Sequence, residues 1–351
     1  MTAKRVCFWL GPLGFLFTLF AATPAGMPVH AWPTAGLVWW MATWWMSEAL
    51  PLSATALLPF VVLPLIGVSD ANKTAAAYYS PTMFLFLGGA FLALAIERTG
   101  LHRRLALAIL SRAGHSNWQL LLAVMAATAT ISMFISNTST ALIMMPMALA
   151  MLASGGVKEG AQDGIAGALP MGVAFAATLG GFGTIVGTPT NAIAVALLNK
   201  SLGVELTFLE WSAYGIPVVL LGVPLAALII ARVQGIHRDS FDPAAARSAI
   251  HLPETWTTPE RRLAPVFILT VIAWVSMTLL KPLFPAGGLD DGTIAAIAGL
   301  SLFFLPDGTG RSLLTWDEAN RAPWGVILMF GGGLALAMGM TESGLADWMG
   351  K

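Results

Sequence analysis

The sequence predicts an all-α membrane protein with many transmembrane helices, and its composition is the first reason. Of its 351 residues, 57% are hydrophobic and 10% are charged, and the mean hydropathy is +0.76. A soluble domain carries about 25% charged residues. Several apolar segments are long enough to cross a hydrocarbon core of about 30 Å. Thirteen tryptophans and 21 prolines suit interfacial anchors and broken helices.

Charge and motif content disfavour other classes of protein. The formal net charge is zero, so the sequence gives no basis for nucleic-acid binding. Cys7 is the only cysteine, which excludes a disulfide framework and a thiolate metal site. The sequence also has neither a Gly-x-Ser-x-Gly nor a His-Glu-x-x-His motif, so an intramembrane enzyme is disfavoured.

Four spans are predicted before residue 100. Residues 6–22 form the first apolar segment. The apolar region 34–66 is too long for one crossing at about 1.5 Å per residue, so we expect two spans joined by a turn near Glu48. Glu48 is then either a functional carboxylate inside the membrane or a hydrated residue of that turn. Residues 80–96 predict the fourth span.

A basic segment follows the fourth span. Residues 101–113 predict an amphipathic helix on the membrane surface, with cations such as Arg103 and Arg104 at the lipid headgroups. A polar loop is predicted at 233–262. Further spans are predicted at 211–231, 263–280, 292–305 and 323–340.

The cations orient the chain. Lys4 and Arg5 precede the first span, and the basic segment follows the fourth. Cytoplasmic loops are enriched in Lys and Arg, and four intervening spans place both groups on that side. We therefore expect an integral, multi-pass protein of a bacterial-type inner membrane with a cytoplasmic N-terminus.

A polar triplet interrupts the apolar segment 118–153. Ser136, Asn137 and Thr138 stand together there, and such residues hydrogen-bond their own backbone and break helices. Irregular backbone at membrane depth is tolerated only where it is buried in protein or lines a wet cavity. We therefore expect 118–153 to be a re-entrant helical hairpin with the triplet at its tip. Interhelical hydrogen bonding is the alternative role of such residues, but their clustering favours a binding site.

A second break interrupts the apolar segment 165–198. Residues 180–191 read GGFGTIVGTPTN. Glycine frees the backbone, and Pro189 lacks the amide hydrogen that a helix needs. The pattern predicts two half-helices in place of one continuous span.

Two segments match at one constant offset. Residues 78–100 and 319–343 share prolines, Pro81 and Pro323, and a Leu-Ala-Leu-Ala run. Chance similarity between apolar helices is the alternative. Because the two copies have opposite predicted orientations, they predict inverted repeats, which many secondary transporters have, with a site at the bilayer midplane.

The repeat divides the chain into predicted parts, and its second copy is predicted to be incomplete. A partner to the tip at Asn137 would fall beyond residue 351, so we expect a member that lacks the rest of its second repeat. Such a chain would be transport-inactive, or would need another polypeptide to complete its site. The predicted parts are scaffold spans at 1–76, a first-repeat unit at 77–232, a cytoplasmic loop at 233–262 and the start of a second repeat at 263–351.

These motifs together resemble the divalent anion/sodium symporters. The resemblance is carried by residues 44–59 (WWMSEALPLSATALLP), residues 86–106, the polar triplet and GTPTN at 187–191. Thr190 stands where the family often has proline. The resemblance implies a sodium-coupled symporter of small divalent anions such as C4-dicarboxylates, with citrate or sulfate as alternatives. It also implies alternating access and a homodimer in the lipid bilayer.

The resemblance implies a site as well. Sodium prefers oxygen ligands, and helix N-termini favour anions. The implied sodium ligands are Ser132, Ser136, Asn137, Gly187 and Thr188. The implied residues for binding the anion are Ser136, Asn137, Thr138, Thr188 and Pro189.

Overall fold

The computed structural model describes residues 3–158, 160–236, 241–248 and 255–350. Within these ranges the chain is largely helical and forms no β-strand, apart from one isolated bridge between Pro306 and Ser312. The prediction of an all-α, polytopic membrane protein is confirmed. The predicted loop at 233–262 lies partly outside the described residues.

The helices follow one another with short connections. The first seven are α1 Ala3–Phe20, α2 Ala31–Ser47, α3 Leu52–Thr55, α4 Leu58–Leu65, α5 Ala71–Ala76, α6 Pro81–Thr99 and α7 Leu101–Leu110. The next seven are α8 Asn117–Ser132, α9 Asn137–Ser154, α10 Ile165–Gly181, α11 Pro189–Leu202, α12 Phe208–Gln234, α13 Pro243–Ser248 and α14 Thr258–Val275. The last five are α15 Met277–Leu280, α16 Asp291–Phe304, α17 Trp316–Ala319, α18 Trp324–Glu342 and α19 Leu345–Met349.

Five of the described helical stretches are long and apolar enough to cross a membrane. They are α1, α9, α12, α18 and the stretch Ala71–Thr99. A sixth is formed if α14 and the segment Met277–Leu283 count as one span, although the two are bent by 76°. The sequence predicts one span at 263–280, and the bend falls inside it. Shorter apolar helices lie at Leu52–Leu65, α10 and α16.

The chain divides into two compact units. The first unit contains Met1–Met83 and Pro323–Lys351. Its core includes Leu37, Leu63 and Leu336, from α2, α4 and α18. Apolar side chains buried together in this way stabilise the unit through the hydrophobic effect.

Glu48 lies at the turn between the two predicted spans of 34–66. It has a left-handed backbone with φ of 48°, and its amide closes the end of α2 by donating to Trp44 O. Its carboxylate lies 3.7 Å from Lys4 Nζ, and both side chains are largely exposed. This geometry favours the hydrated turn over a functional carboxylate inside the membrane.

The second unit, Phe84–Ala322, contains both predicted breaks. Helix α10 packs against α8, α9 and α12. Glycines permit this close approach: a Cβ at Gly180 would collide with Ala129 O, and one at Gly215 with Phe182 O. The hairpin arms, the broken helix and α12 therefore form one packed group.

The surface-helix prediction for 101–113 is wrong for Arg104. Arg104 is buried, its Nη2 lies 3.2 Å from Glu260 Oε2, and its guanidinium sits 4.7 Å from the centre of the Trp256 ring. Helix α7 packs against α8 and α14, so this cation faces a partner carboxylate at the start of α14. Arg103 is exposed, and its placement at the lipid headgroups stays a prediction.

A charged cluster joins the end of α6 to α17 and to the loop before α17. We call Arg98, Asp307, Arg311 and Glu318 the Arg98 cluster. Arg98 pairs with Asp307, and its Nε lies 3.2 Å from Glu318 Oε1, which Arg311 also contacts at 2.7 Å. Hydrogen bonds from the hydroxyl and amide of Thr309, followed by the bond from Arg98, hold the pKa of the Asp307 carboxyl well below its ordinary range.

Candidate functional site

The first break separates the two arms of the predicted hairpin. Helix α8 ends at Ser132 and α9 begins at Asn137. Ser136 caps α9, because its hydroxyl accepts a hydrogen bond from Ser139 N at 3.2 Å. Serine is among the preferred residues at this position, which explains why the helix restarts here. Ser136 and Thr138 are exposed, and Asn137 is half-buried.

The second break separates α10 from α11. Helix α10 ends at Gly181, a short 3-10 turn follows at Ile185–Gly187, and α11 begins at Pro189. Thr188 is extended, with φ of −148° and ψ of 145°, and its hydroxyl does not cap α11. Proline fits the first position of a helix because that amide has no partner within the helix.

The two breaks lie against each other. The Thr184 hydroxyl donates to Met133 O, which joins the second break to the first. A Cβ added to Gly187 would lie 2.5 Å from Gly181 O, 3.0 Å from Met133 O and 3.1 Å from Ser132 O. These carbonyl oxygens therefore converge where Gly187 has no side chain.

Two side-chain oxygens belong to residues of the same region. Ser132 Oγ lies 2.9 Å from Asn137 Oδ1 and 2.6 Å from Ala177 O. A hydroxyl carries a single hydrogen, so it can donate to only one of these two acceptors. A Cβ added to Gly181 would lie 2.5 Å from Asn137 Oδ1. We call the oxygens of Ser132, Met133, Asn137, Ala177 and Gly181 the oxygen cluster.

The oxygen cluster is built from uncharged groups. It sits where α8 and α10 end, and the carbonyls at helix C-termini carry partial negative charge. Among the described residues, no group of three or more His, Cys, Asp or Glu side chains could hold a metal ion. Hydroxyl, amide and carbonyl oxygens are ligands that hard cations accept. The donor set therefore suits a small hard cation such as sodium.

Two helices begin beside the oxygen cluster. The N-termini of α9 and α11 follow directly after the two breaks. The partial positive charge at a helix N-terminus favours an anion. The same place in the fold thus offers partial negative charge to a cation and partial positive charge to an anion.

The predicted site residues fall into two sets. Ser132, Asn137 and Gly187 meet in or beside the oxygen cluster. The others lie at the starts of the two helices, α9 for Ser136 and Thr138, and α11 for Thr188 and Pro189.

Sequence reasoning missed several residues of this region. Backbone oxygens of Met133, Ala177 and Gly181 belong to the oxygen cluster, and every residue type has a carbonyl, so no pattern marks them. Thr184 and Asn191 are polar residues within the second break, and this is the sequence signal that could have identified them. Asn191 Nδ2 donates to Gly181 O at 2.7 Å and to Thr184 O at 2.8 Å.

Comparison with known proteins gives separate evidence on the family. Residues 42–351 match the family described as citrate transporter (CitMHS). The "Sodium-dependent dicarboxylate transporter SdcS" of Staphylococcus aureus strain MRSA252 is 35% identical over 363 residues, which cover 100% of this chain and 70% of that protein. The protein of the same name from strain USA300 is 35% identical over 355 residues, covering 97% and 68%. The resemblance to divalent anion/sodium symporters is confirmed, and the chain belongs to the citrate transporter family.

Proposed function

We propose that this chain is a sodium-coupled secondary transporter of small divalent anions such as C4-dicarboxylates. The observation that carries the proposal is the oxygen cluster, which gathers neutral oxygens at the ends of α8 and α10 beside the starts of α9 and α11. Membership of a transporter family and relatives named as sodium-dependent dicarboxylate transporters support the choice of ion and substrate.

Sodium is assigned to the oxygen cluster. Ser132 Oγ, Asn137 Oδ1 and the carbonyls around Gly187 would supply its ligands, with Ser136 and Thr188 as the remaining predicted contributors. These ligands carry no full charge, so they can bind a monovalent cation without holding it permanently. A transport site requires such reversible binding, because the ion must be released on the other side.

The anion is assigned to the starts of α9 and α11. Ser136, Asn137 and Thr138 would offer hydroxyl, amide and backbone donors to one carboxylate, and the exposure of Ser136 and Thr138 leaves them accessible. Thr188 and Pro189 stand at the start of α11, whose N-terminus would act on the same anion. A bound sodium ion adds positive charge nearby and would strengthen anion binding, which couples the two.

The remaining parts of the proposal concern assembly and mechanism. We assign the chain to a bacterial-type inner membrane with a cytoplasmic N-terminus, as a homodimer with inverted repeats. Alternating access would move the unit that carries the breaks past a scaffold that includes the first spans. The same proposal divides the chain into scaffold spans at 1–76, a first-repeat unit at 77–232, a cytoplasmic loop at 233–262 and the start of a second repeat at 263–351.

Uptake into proteoliposomes tests the proposal. The purified chain should accumulate radiolabelled succinate when sodium is present outside, and much less when choline replaces sodium. Asn137→Ala should lose this uptake, because it removes an oxygen from the cluster. Folded protein that takes up no anion in either buffer would contradict the proposal and favour a transport-inactive or complementation-dependent member.

Citrate is the second candidate substrate, because the matching family is described as citrate transporter. Unlabelled citrate and sulfate should be compared with succinate as competitors in the same assay. Stronger competition by citrate than by succinate would reassign the substrate and leave sodium coupling intact.

A further inference from the structure

The two carbonyls nearest Gly187 are both held by side chains outside the predicted ligand set. Met133 O accepts a hydrogen bond from the Thr184 hydroxyl. Gly181 O accepts one from Asn191 Nδ2 at 2.7 Å. A carbonyl oxygen has two lone pairs, so each can accept this bond and still face a cation.

The two donors form one connected network. Asn191 Nδ2 also donates to Thr184 O at 2.8 Å, while the Thr184 side chain donates to Met133 O. The network therefore links the start of α11 to the end of α8. Both Thr184 and Asn191 are 2% exposed, so water cannot readily replace a donor that a substitution removes.

A further contact holds the start of the second break, just before Thr184. Trp211 Nε1, from α12, donates to Phe182 O at 3.0 Å. Gly215 on the same helix leaves room for the Phe182 carbonyl, where a Cβ would collide. The second break is thus held by α12 as well as by the hydrogen bond from Thr184 to Met133 O.

We infer that Thr184 and Asn191 are positioning residues for sodium. They orient the Met133 and Gly181 carbonyls toward the ion and so set sodium affinity and the discrimination between sodium and lithium. The inference rests on the proposed function, since it takes sodium to be the ion of the oxygen cluster. Residues that orient metal ligands typically change metal affinity by about 10- to 100-fold when they are replaced.

Substitution at Thr184 separates positioning from mere structural support. Thr184→Val keeps the volume and removes the donor, whereas Thr184→Ser keeps the donor. For Thr184→Val we expect the sodium concentration at half-maximal uptake to rise about tenfold. The succinate KM at saturating sodium should change less than about twofold, and lithium should support uptake better relative to sodium. Thr184→Ser should resemble the wild type in all three measurements.

Two results would overturn the inference. One is an unchanged sodium requirement in folded Thr184→Val, and the other is a Thr184→Ser variant as impaired as Thr184→Val. If Thr184→Val does not fold, Thr184→Cys provides the test, because a thiol is a weak donor. Its sodium requirement should lie above that of the wild type, and a wild-type value would contradict the inference.

A binding assay distinguishes this inference from the proposed function. Sodium that binds the folded protein raises its thermal stability as the concentration increases. The melting temperature of purified protein in detergent should therefore rise with sodium chloride more than with choline chloride. In Thr184→Val this rise should need about tenfold more sodium. Such a shift without any succinate uptake would support the inference and refute the proposed transport, whereas no sodium effect on the wild type would refute both.

Discussion

The oxygen cluster and the Arg98 cluster lie in the same unit, and both gather polar groups within a mostly apolar protein. The oxygen cluster uses carbonyls, one hydroxyl and one amide. The Arg98 cluster uses two arginines and two carboxylates, with pair distances such as 2.7 Å between Arg311 and Glu318. One therefore consists of neutral groups and the other of ions that neutralise each other.

This difference indicates different roles. The charges of Arg98, Asp307 and Glu318 find opposite charges within the protein, so the cluster fixes one loop against the end of α6. In the oxygen cluster, three backbone carbonyls converge on Gly187, and the acceptors carry partial negative charge without a full charge to hold an ion permanently. Ion pairs suit a permanent structural contact, whereas neutral acceptors suit an ion that must bind and dissociate.

The largest effect is expected at Gly187. Gly187→Ala would place a methyl group 2.5 Å from Gly181 O. The same methyl group would lie 3.0 Å from Met133 O and 3.1 Å from Ser132 O. Backbone atoms on both breaks would have to move, so sodium-dependent succinate uptake should fall to background. Uptake is measured in proteoliposomes with protein amounts matched by size-exclusion chromatography.

Gly333→Ala is the matched control for this substitution. Gly333 lies within α18, and a Cβ there would meet no heavy atom within 4 Å. Uptake by this variant should equal that of the wild type. If Gly187→Ala also transports normally, the converging carbonyls are not a site.

The next largest effect is expected at Ser132. Ser132→Ala removes the hydroxyl that contacts Asn137 Oδ1 and Ala177 O. The sodium concentration for half-maximal uptake should rise about tenfold or more, as for the loss of a metal-site group. Thr128→Val is the control, because the Thr128 hydroxyl donates only within its own helix, to Val124 O at 2.7 Å. Equal sodium requirements in the two variants would remove Ser132 from the site.

The Arg98 cluster should respond in stability and not in transport. Arg98→Leu leaves the buried Asp307 carboxylate without its cation, and breaking such a pair is strongly destabilising. The melting temperature in detergent should fall by several degrees, while uptake per folded protein stays unchanged. Arg321→Leu is the control, because its pair with Glu97 is exposed and 3.5 Å long. A loss of uptake without a loss of stability would contradict the purely structural role assigned to the Arg98 cluster.

The smallest effect is expected from pH. The pKa of Asp307 is lowered in the folded state, so its contribution to stability is present above the ordinary carboxyl pKa of about 4 and is lost as pH falls below that value. Acid should therefore lower the melting temperature of the wild type more than that of Asp307→Asn. Parallel acid profiles for the two proteins would show that Asp307 is not the group that titrates.

Sodium binding at the oxygen cluster should not depend on pH in this way. Carbonyl, hydroxyl and amide groups do not titrate near neutrality. The sodium-dependent rise in melting temperature should therefore be the same from about pH 6 to about pH 8. A steep change in this range would require an ionisable group in the sodium site.

Local chemistry made part of this protein predictable. The apolar composition indicates a membrane protein, because few charges can be placed in lipid. The two breaks follow from residue type: Ser136 caps a helix and Pro189 begins one. The roles assigned to residues 136–138 and 187–189 in binding sodium and anion stay predictions.

Other features required the assembled fold. The burial of Arg104 depends on Glu260, 156 residues away along the chain, so its local pattern pointed to the lipid headgroups instead. The bend of 76° after Val275 likewise falls inside a segment that reads as one apolar span. Contacts between distant elements decide such features, and a periodic pattern in one segment does not contain them.

Composition and local backbone preference are enough to predict the class of the protein and the positions of its two helix breaks, and the resemblance of its motifs is enough to predict its family. Which oxygens meet depends on how distant segments pack. Met133, Ala177 and Gly181 contribute backbone carbonyls that any residue type would provide, and packing of α10 against α8 brings them together. The orientation of these carbonyls then depends on Thr184 and Asn191, whose hydrogen bonds connect segments that only folding makes neighbours.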